Sequence, residues 1–279
     1  IARQGEADTV IFDNELTPAQ TRNLEKAFEC KVLDRTSLIL DIFAQRAKTK
    51  EGKMQIEMAQ LQHILPRLTR MWTHLSREGG GIGARGPGEQ QLETDRRLID
   101  RRLTNLRRDL RQMEKRRATQ RKARKEQFAV ALVGYTNAGK SSILRELSGS
   151  DVFVEDRLFA TLDSATRICD LEGPGPILLT DTVGFIRKLP HHLIASFRAT
   201  LEELLEADLL LHVIDASSPS WEEHNEAVNE VLVASGVNER PVLFVMNKID
   251  RLTHAEEQAL RSRTAAFLGP QVFTSVIER

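Results

Sequence analysis

The sequence has few cysteines and lacks any apolar run long enough to cross a membrane. Its two cysteines, Cys30 and Cys169, are far apart and have no metal-like spacing. This usage suits a reducing cytosol and argues against a disulfide scaffold. A membrane-spanning helix needs about 20 consecutive apolar residues, and we see no signal-peptide pattern. We therefore expect a cytoplasmic, monomeric protein without a membrane span.

The sequence also lacks a net charge, but its charges are unevenly distributed. Forty Lys and Arg balance forty Asp and Glu, yet residues 96–125 hold 14 basic and 3 acidic residues. Such a basic segment predicts contact with a nucleic-acid backbone, with a solvated helix face as the alternative. The 279 residues suffice for about two domains. Because the chain begins at Ile1 rather than Met, we expect it to be part of a longer protein.

Residues 1–48 have the pattern of a partial N-terminal α/β domain. An apolar run at 8–14 predicts a strand, and residues 16–28 have helical spacing with Pro18 near the first turn. A second strand is predicted at 30–35. These elements indicate the end of an α/β unit.

Residues 49–126 predict a long antiparallel helical hairpin. Apolar residues step by three and four on either side of a glycine-rich stretch, as in a heptad seam. Pro66 should kink the first helix, and Arg96 interrupts the seam of the second. The seam consists of Met54, Met58, Leu61, Leu65, Leu68, Trp72 and Leu75, then Leu92, Ile99, Leu103, Leu106, Leu110 and Met113.

From residue 127 to 279, apolar strands alternate with amphipathic helices, which predicts a parallel sheet covered on both faces. Helices fit near 140–148, 191–206, 220–235 and 254–267. The strand candidates are 128–133, 177–182, 209–215, 241–247 and 272–276. The fold class is therefore α/β, and we expect this domain to be truncated at its C-terminus.

Two glycine-rich stretches compete for the role of a phosphate-binding loop. GYTNAGKS at 134–141 follows a predicted strand and opens a helix, as the P-loop pattern requires. GGGIGARGPG at 79–88 follows a helix and lies in no βαβ unit. We therefore assign the nucleotide to 134–141 and interpret 79–88 as the hairpin tip. Lys140 should reach the β- and γ-phosphates, and Ser141 should bind Mg²⁺.

Three further motifs follow at strand ends in the order of a Ras-like GTP-binding domain. In DTVG at 181–184, Asp181 can hold Mg²⁺ through water and the Gly184 N–H can meet a γ-phosphate. In NKID at 247–250, Asp250 can accept two guanine N–H groups, which adenine does not offer together. TSV at 274–276 is a weaker signal for a loop near guanine O6.

The segment 159–166 should supply a threonine to Mg²⁺, and we favour Thr161, with Thr166 as the fallback. Many GTPases place a glutamine after DxxG to orient water, but this chain has Phe185 there. We expect slow intrinsic hydrolysis that is activated by a partner, or a domain that only binds GTP. Asn137 could help hold K⁺ beside the phosphates, although it is equally well explained as an ordinary loop residue.

The predicted site is assigned residue by residue. The catalytic candidates are Lys140, Thr161 and Gly184, and the Mg²⁺ ligands are Ser141 and Thr161. The expected nucleotide contacts are Gly134, Tyr135, Thr136, Asn137, Ala138, Gly139, Lys140, Ser141, Ser142, Phe159, Thr161, Asp181, Gly184, Asn247, Lys248, Asp250, Thr274, Ser275 and Val276.

With these residues in place, the chain resembles the HflX family of translational GTPases over nearly its whole length. Four blocks carry the resemblance: LILDIFAQRA at 38–47, GGGIGARGPGEQQLETDRR at 79–97, FATLD at 159–163 and DTVGFIRKLP at 181–190. The second block is the most specific. The resemblance implies a cytoplasmic, ribosome-associated GTPase that splits stalled or idle ribosomes under stress, with organellar relatives.

The resemblance also implies a partner, the large ribosomal subunit, contacted through the hairpin and the basic helix 96–125. Against the family pattern, we expect Ile1 to lie inside the N-terminal domain, and this sequence ends before the closing helix and the C-terminal extension that family members often carry. Three alternatives stay open: an accessory GTPase of RNA modification, an RNA-binding module with negligible turnover, and an ATP-driven RNA remodeller. We see no second P-loop that would support the last of these.

Overall fold

The structure, a computed structural model, describes residues 7–71, 87–122, 127–149, 164–171, 173, 175–187, 203–237, 239–266 and 268–277. The chain divides into two compact units, Ile1–Lys115 and Arg116–Arg279. Among the described residues, no helix is both long and apolar enough to cross a membrane.

The first unit begins with a small βαβα arrangement. Strands β1 (Thr9–Phe12) and β2 (Lys31–Asp34) pair in parallel, connected by helix α1 (Pro18–Phe28). Thr17 caps α1 through a capping box with Gln20. Helix α2 (Arg35–Arg46) follows β2 directly and was not predicted. The two strands and the helix between them confirm the predicted order.

The described rest of this unit consists of helix α3 (Lys50–Met71) and of helix α4 (Pro87–Lys122) as far as Lys115, where the unit ends. Leu103 and Leu106 of the predicted seam are buried in α4, and Arg96 is exposed. Arg102 donates two hydrogen bonds to Glu57 of α3, at 2.6 and 2.7 Å. Glu57 lies about as many residues before the end of α3 as Arg102 lies after the beginning of α4, which is the register of an antiparallel pair.

Helix α3 has a second buried face that the heptad pattern did not indicate. Ile56 and Ala59, which lie outside the predicted seam, are buried, as is Met54 of the seam, and α3 packs against α1 and α2. The helix therefore packs on the α/β elements as well as facing α4. Pro66 lies inside the helix, and of the glycine stretch 79–88 only Pro87 and Gly88, in the first turn of α4, belong to the described residues.

A buried carboxylate joins α3 to the α/β elements. Asp34 is 2% exposed. Its Oδ1 accepts hydrogen bonds from the backbone N–H and the hydroxyl of Ser37. Its Oδ2 accepts hydrogen bonds from Leu16 N and Arg67 Nη2. Arg67 also donates to His63 Nδ1, so the Nε2 of a neutral His63 carries the proton and faces Ser37 Oγ at 3.1 Å. Burial raises the pKa of Asp34, but the hydrogen bonds from Ser37 and Leu16 and the charge of Arg67 lower it more.

Replacing this carboxylate should destabilise the first unit. Asp34→Asn is expected to lower the free energy of unfolding by about 2–4 kcal/mol, because it leaves the Arg67 charge poorly paired. Since the folded pKa is lowered, the contribution is present above the unfolded value of about 3.9 and is lost as the pH falls through the folded value. Denaturant unfolding of both proteins between pH 7 and pH 3 measures the difference.

Asp13→Asn is the matched control, because Asp13 pairs with Arg35 at the surface with 73% of its side chain exposed. Exposed pairs of this kind contribute about 0–1 kcal/mol. Equal losses in the two variants would contradict the role given to Asp34.

The second unit is a six-stranded sheet with helices on both faces. The strand order is β4-β5-β3-β6-β7-β8, parallel throughout except for the antiparallel edge strand β4. The strands are β3 (Ala129–Gly134), β4 (Ala165–Cys169), β5 (Ile177–Asp181), β6 (Leu209–Asp215), β7 (Val242–Asn247) and β8 (Gln271–Phe273). The described residues of this unit include the α-helices α5 (Lys140–Ser148), α6 (Trp221–Ala234) and α7 (His254–Thr264) and a short 3-10 helix, Ile249–Arg251.

The core of this unit lies on both sides of the sheet. Ile143 and Leu144 of α5 pack on one face, and Val228 and Leu232 of α6 pack on the other. The five predicted strands and three of the predicted helices are confirmed, but β4 was not predicted. The fourth predicted helix, 191–206, falls mostly outside the described residues, and β8 ends at Phe273, directly before TSV.

Candidate nucleotide-binding site

The predicted nucleotide motifs meet at one edge of the second unit's sheet. Strands β5, β3, β6 and β7 are parallel neighbours in this order, and β3, β5 and β7 each end at or within one residue of a predicted motif. Loops at the carboxyl ends of parallel strands lie side by side, which is where open α/β sheets bind ligands. The loop 134–141 joins the end of β3 to the beginning of α5 at this edge.

Glycines give this loop its conformation. Gly134 has φ 151° and Gly139 has φ 102°, both in the region that favours glycine. A Cβ at Gly134 would lie 2.2 Å from the Val213 carbonyl oxygen, and one at Gly139 would lie 2.2 Å from Asn247 Nδ2. The loop therefore has the close backbone approaches that a phosphate-binding P-loop uses.

Lys140 lies buried inside the loop. Its Nζ donates hydrogen bonds to the carbonyl oxygens of Gly134 at 3.1 Å and Tyr135 at 3.0 Å. Burial lowers the pKa of Lys140 to about 8, although the charge of Asp181 acts in the opposite direction. A phosphate group would replace weak carbonyl acceptors with a full negative charge, so this ammonium group is placed to bind one.

Ser141 and Asp181 are brought together as predicted. Ser141 Oγ donates a hydrogen bond of 2.5 Å to Asp181 Oδ2, and the carboxylate is fully buried. Hydroxyl and carboxylate oxygens are the donors that Mg²⁺ prefers, usually alongside phosphate oxygens and water. The pair therefore fits a Mg²⁺ ion whose coordination a bound nucleotide would complete. Ser142, the next residue, is half-buried in the first turn of α5.

The DTVG segment runs directly under the P-loop. A Cβ at Gly184 would lie 2.7 Å from Thr136 Cα, so only glycine permits this approach. Phe185 N donates to the Gly134 carbonyl at 3.1 Å, and Thr136 N donates to the Phe185 carbonyl at 2.8 Å. The Phe185 side chain is 2% exposed and packs in the core with Val133 and Leu204. The residue after DxxG is thus turned into the core.

The NKID segment contacts the other side of the P-loop. Asn247 Nδ2 donates to the Ala138 carbonyl at 2.9 Å, and Lys248 Nζ donates to the Asn137 carbonyl at 2.7 Å. Asn137 itself has φ 62°, a left-handed conformation that asparagine tolerates. The P-loop is therefore held between the ends of β5 and β7.

Asp250 is oriented by the TSV segment. Ser275 Oγ donates a hydrogen bond of 2.6 Å to Asp250 Oδ1. Thr274 N donates to the Met246 carbonyl at 2.9 Å, which continues the pairing beyond β8. Val276 packs against the core beneath α5. The structure thus brings the two predicted guanine-binding segments together.

Other predicted residues are placed differently or lie outside the described part of the chain. Thr166, the fallback Mg²⁺ ligand, lies in β4 with its hydroxyl 3.0 Å from Thr180 Oγ1. Thr161 and Phe159 lie outside the described residues, so their roles stay predictions. In the part of the chain that the structure describes, no three His, Cys, Asp or Glu side chains cluster as a metal site.

Two residue groups near the P-loop were not predicted. Asp215, the last residue of β6, accepts a hydrogen bond from Lys248 Nζ at 2.7 Å. The Tyr135 ring stacks on His224 of α6 with ring centroids 3.8 Å apart. A cavity of about 220 Å³ separates this part of α6 from the P-loop. His212 lines it, and burial together with the charge of Lys140 lowers the pKa of His212 to about 3, so its ring is neutral.

Three families match successive parts of the chain. Residues 1–44 match the family described as "GTP-binding GTPase N-terminal", 46–124 "GTP-binding GTPase Middle Region" and 129–248 "50S ribosome-binding GTPase". A protein named GTPase HflX from Escherichia coli (strain K12) is 50% identical over 287 residues, which covers 98% of this chain and 67% of that protein. The chain belongs to the HflX family of GTPases.

Other HflX proteins are similarly close. The GTPase HflX of Magnetococcus marinus is 54% identical over 252 residues, covering 89% of this chain and 58% of that protein. The one from Flavobacterium psychrophilum is 52% identical over 246 residues, covering 88% of this chain and 59% of that protein. The chain thus spans about three fifths to two thirds of the length of these HflX relatives.

A solved structure supports the same fold. The GTP-binding protein of the archaeon Sulfolobus solfataricus, in complex with GDP, has a TM-score of 0.54 and 26% identity; the match covers 100% of this chain and 79% of that one. The second unit is a Ras-like P-loop GTPase domain, as the order of the nucleotide-binding motifs predicted. The expected α/β fold class is confirmed.

The lowered pKa of Lys140 predicts that nucleotide binding takes up protons. At pH 8 about half of the Lys140 side chains are neutral, and nucleotide phosphates favour the charged form. Calorimetric titration with GDP in buffers of different ionisation enthalpy should show uptake of about half a proton at pH 8. Uptake should be larger at pH 9 and small at pH 7.

Lys140→Met should remove this uptake and weaken GDP binding. Lys26→Met is the control, because Lys26 is exposed in the last turn of α1. Proton uptake that is independent of pH, or that persists without Lys140, would contradict the assignment.

Proposed function

We propose that this chain binds and hydrolyses GTP with Mg²⁺ and that the large ribosomal subunit stimulates its hydrolysis. On this proposal it is a monomeric cytoplasmic factor that splits or rescues stalled or idle ribosomes under stress. The description of the family that matches residues 129–248, a 50S ribosome-binding GTPase, supports a ribosomal partner.

The position of Phe185 carries the proposal of activation by a partner. Its main chain is paired with the P-loop on both sides and its ring is buried. A phenyl ring cannot orient or deprotonate water, and turning it toward the phosphates would empty a core position. The group that orients the attacking water must therefore come from another residue, a bound ion or a partner.

The site residues divide the work of nucleotide binding. Lys140 would bind the β- and γ-phosphates, and the Gly184 N–H the γ-phosphate. Ser141, with Thr161 from the predicted switch, would hold Mg²⁺, which neutralises phosphate charge when bound. Asp250, oriented by Ser275, would accept the guanine N1–H and N2–H₂.

The basic helix supports an RNA partner. In α4 the side chains of Arg101, Arg107, Arg108 and Arg111 are exposed. Some basic residues of α4 have acidic neighbours, as Arg97 has Glu93 at 2.7 Å, but the excess of 11 positive charges over 96–125 remains. A phosphate backbone would satisfy such a surface, and binding should weaken steeply with salt.

GTP turnover of this chain, alone and with purified large ribosomal subunits, tests the proposal. We expect slow turnover alone and stimulation of at least about tenfold by the subunit, fading between 50 and 200 mM salt. A double reversal, Arg107→Glu with Arg108→Glu, should weaken stimulation without changing the intrinsic rate. Tight GTP binding with no stimulation would instead favour an RNA-binding module or an accessory GTPase of RNA modification.

A second arm of the proposal concerns K⁺. Asn137 lies in the P-loop, where its amide oxygen could help hold a monovalent cation that supplies positive charge during hydrolysis. Turnover should then be faster in KCl than in NaCl at equal ionic strength, and Asn137→Ala should remove the difference. Equal rates in the two salts would eliminate K⁺ from the account.

A further inference from the structure

Asp215 occupies a position that no nucleotide motif includes. It is the last residue of β6, between the P-loop strand β3 and the NKID strand β7. Its Oδ2 accepts a hydrogen bond from Lys248 Nζ at 2.7 Å. Its Oδ1 accepts from Ser217 N at 3.0 Å and from Ser217 Oγ at 2.6 Å. Both carboxylate oxygens are thus engaged, and the orientation of the group is fixed.

The ammonium group of Lys248 is held at two points. Its Nζ donates to Asp215 on one side and to the Asn137 carbonyl of the P-loop, also at 2.7 Å, on the other. Its backbone has φ 67°, which is unfavourable for a residue with a Cβ. Such a conformation persists where surrounding contacts determine it. The hydrogen bond from its ammonium group to the Asn137 carbonyl connects Lys248 to the P-loop.

The ion pair is also shielded from solvent. The side chains of Lys248 and Asp215 are 15% and 21% exposed, respectively. Charges in such surroundings are screened less by salt than exposed ones. Without Asp215, Lys248 would keep the Asn137 carbonyl but lose its counter-charge, and its side chain would be free to leave the P-loop.

We propose that Asp215 is a positioning residue for the nucleotide, acting through Lys248. It holds the guanine-binding segment and the P-loop in register before the nucleotide enters, so that binding does not have to order them. This inference rests on the proposed GTP-binding function. On this proposal Asp215 contributes to the affinity for GDP and GTP alike, whereas Asp250, which Ser275 orients, selects the base.

The test compares the affinities and dissociation rates of GDP for the chain and its variants. Asp215→Asn should weaken GDP binding about 10- to 100-fold, mainly through faster dissociation, as expected for losing a charge-assisted hydrogen bond. The preference for GTP over ITP should stay within about twofold of the unchanged chain. Asp208→Asn is the matched control, because Asp208 precedes β6 at its other end and accepts from Ala129 N at 2.8 Å. It should leave GDP affinity within about twofold.

A double-mutant cycle separates positioning from general stability. In a Lys248→Met background, Asp215→Asn should change GDP affinity by less than about twofold, because its target is gone. An undiminished effect in that background would overturn the inference, as would wild-type affinity in Asp215→Asn or an equal loss in Asp208→Asn. Failure of the unchanged chain to bind GDP would contradict the proposed function, and this inference with it.

Discussion

The peptide groups of Gly134 and Thr136 hydrogen-bond to those of Phe185, while Asn247 and Lys248 donate to the carbonyls of Ala138 and Asn137. The P-loop is thereby held on one side by the chain after β5 and on the other by the chain after β7. Glycines are required at these approaches, because a Cβ at Gly184 would lie too close to Thr136 of the P-loop and one at Gly139 too close to Asn247. The buried position of Lys140 and its lowered pKa follow from this enclosure.

The same enclosure separates nucleotide binding from hydrolysis. The groups that would bind phosphate and guanine are held by main-chain pairing and buried hydrogen bonds, independently of any partner. The position that supplies a water-orienting glutamine in many GTPases instead fills the core with Phe185. On the proposed function, a site built in this way would bind nucleotide by itself and depend on another group for turnover. That dependence would suit the proposed factor, whose hydrolysis the large ribosomal subunit stimulates.

The motifs and the parallel strands could be predicted because each carries a local signal. The P-loop needs glycines at fixed spacing, and strands such as 209–215 are continuous apolar runs. Strand β4 had no such signal, because its exposed Arg167 and Ile168 follow from its position at the sheet edge. The buried face of α3 and the Asp215–Lys248 pair depend on segments far apart in sequence. A heptad pattern or a lone aspartate at a strand end does not reveal such partners.

Nucleotide selectivity of the isolated chain tests the central claim most directly, because it requires no ribosome. Calorimetric titration with GDP and with ADP measures it. The arrangement of Lys140, Lys248 and Asp250 predicts one GDP bound per chain and ADP affinity at least about a thousandfold weaker. Equal affinity for the two nucleotides, or no binding of GDP, would contradict the account of this site.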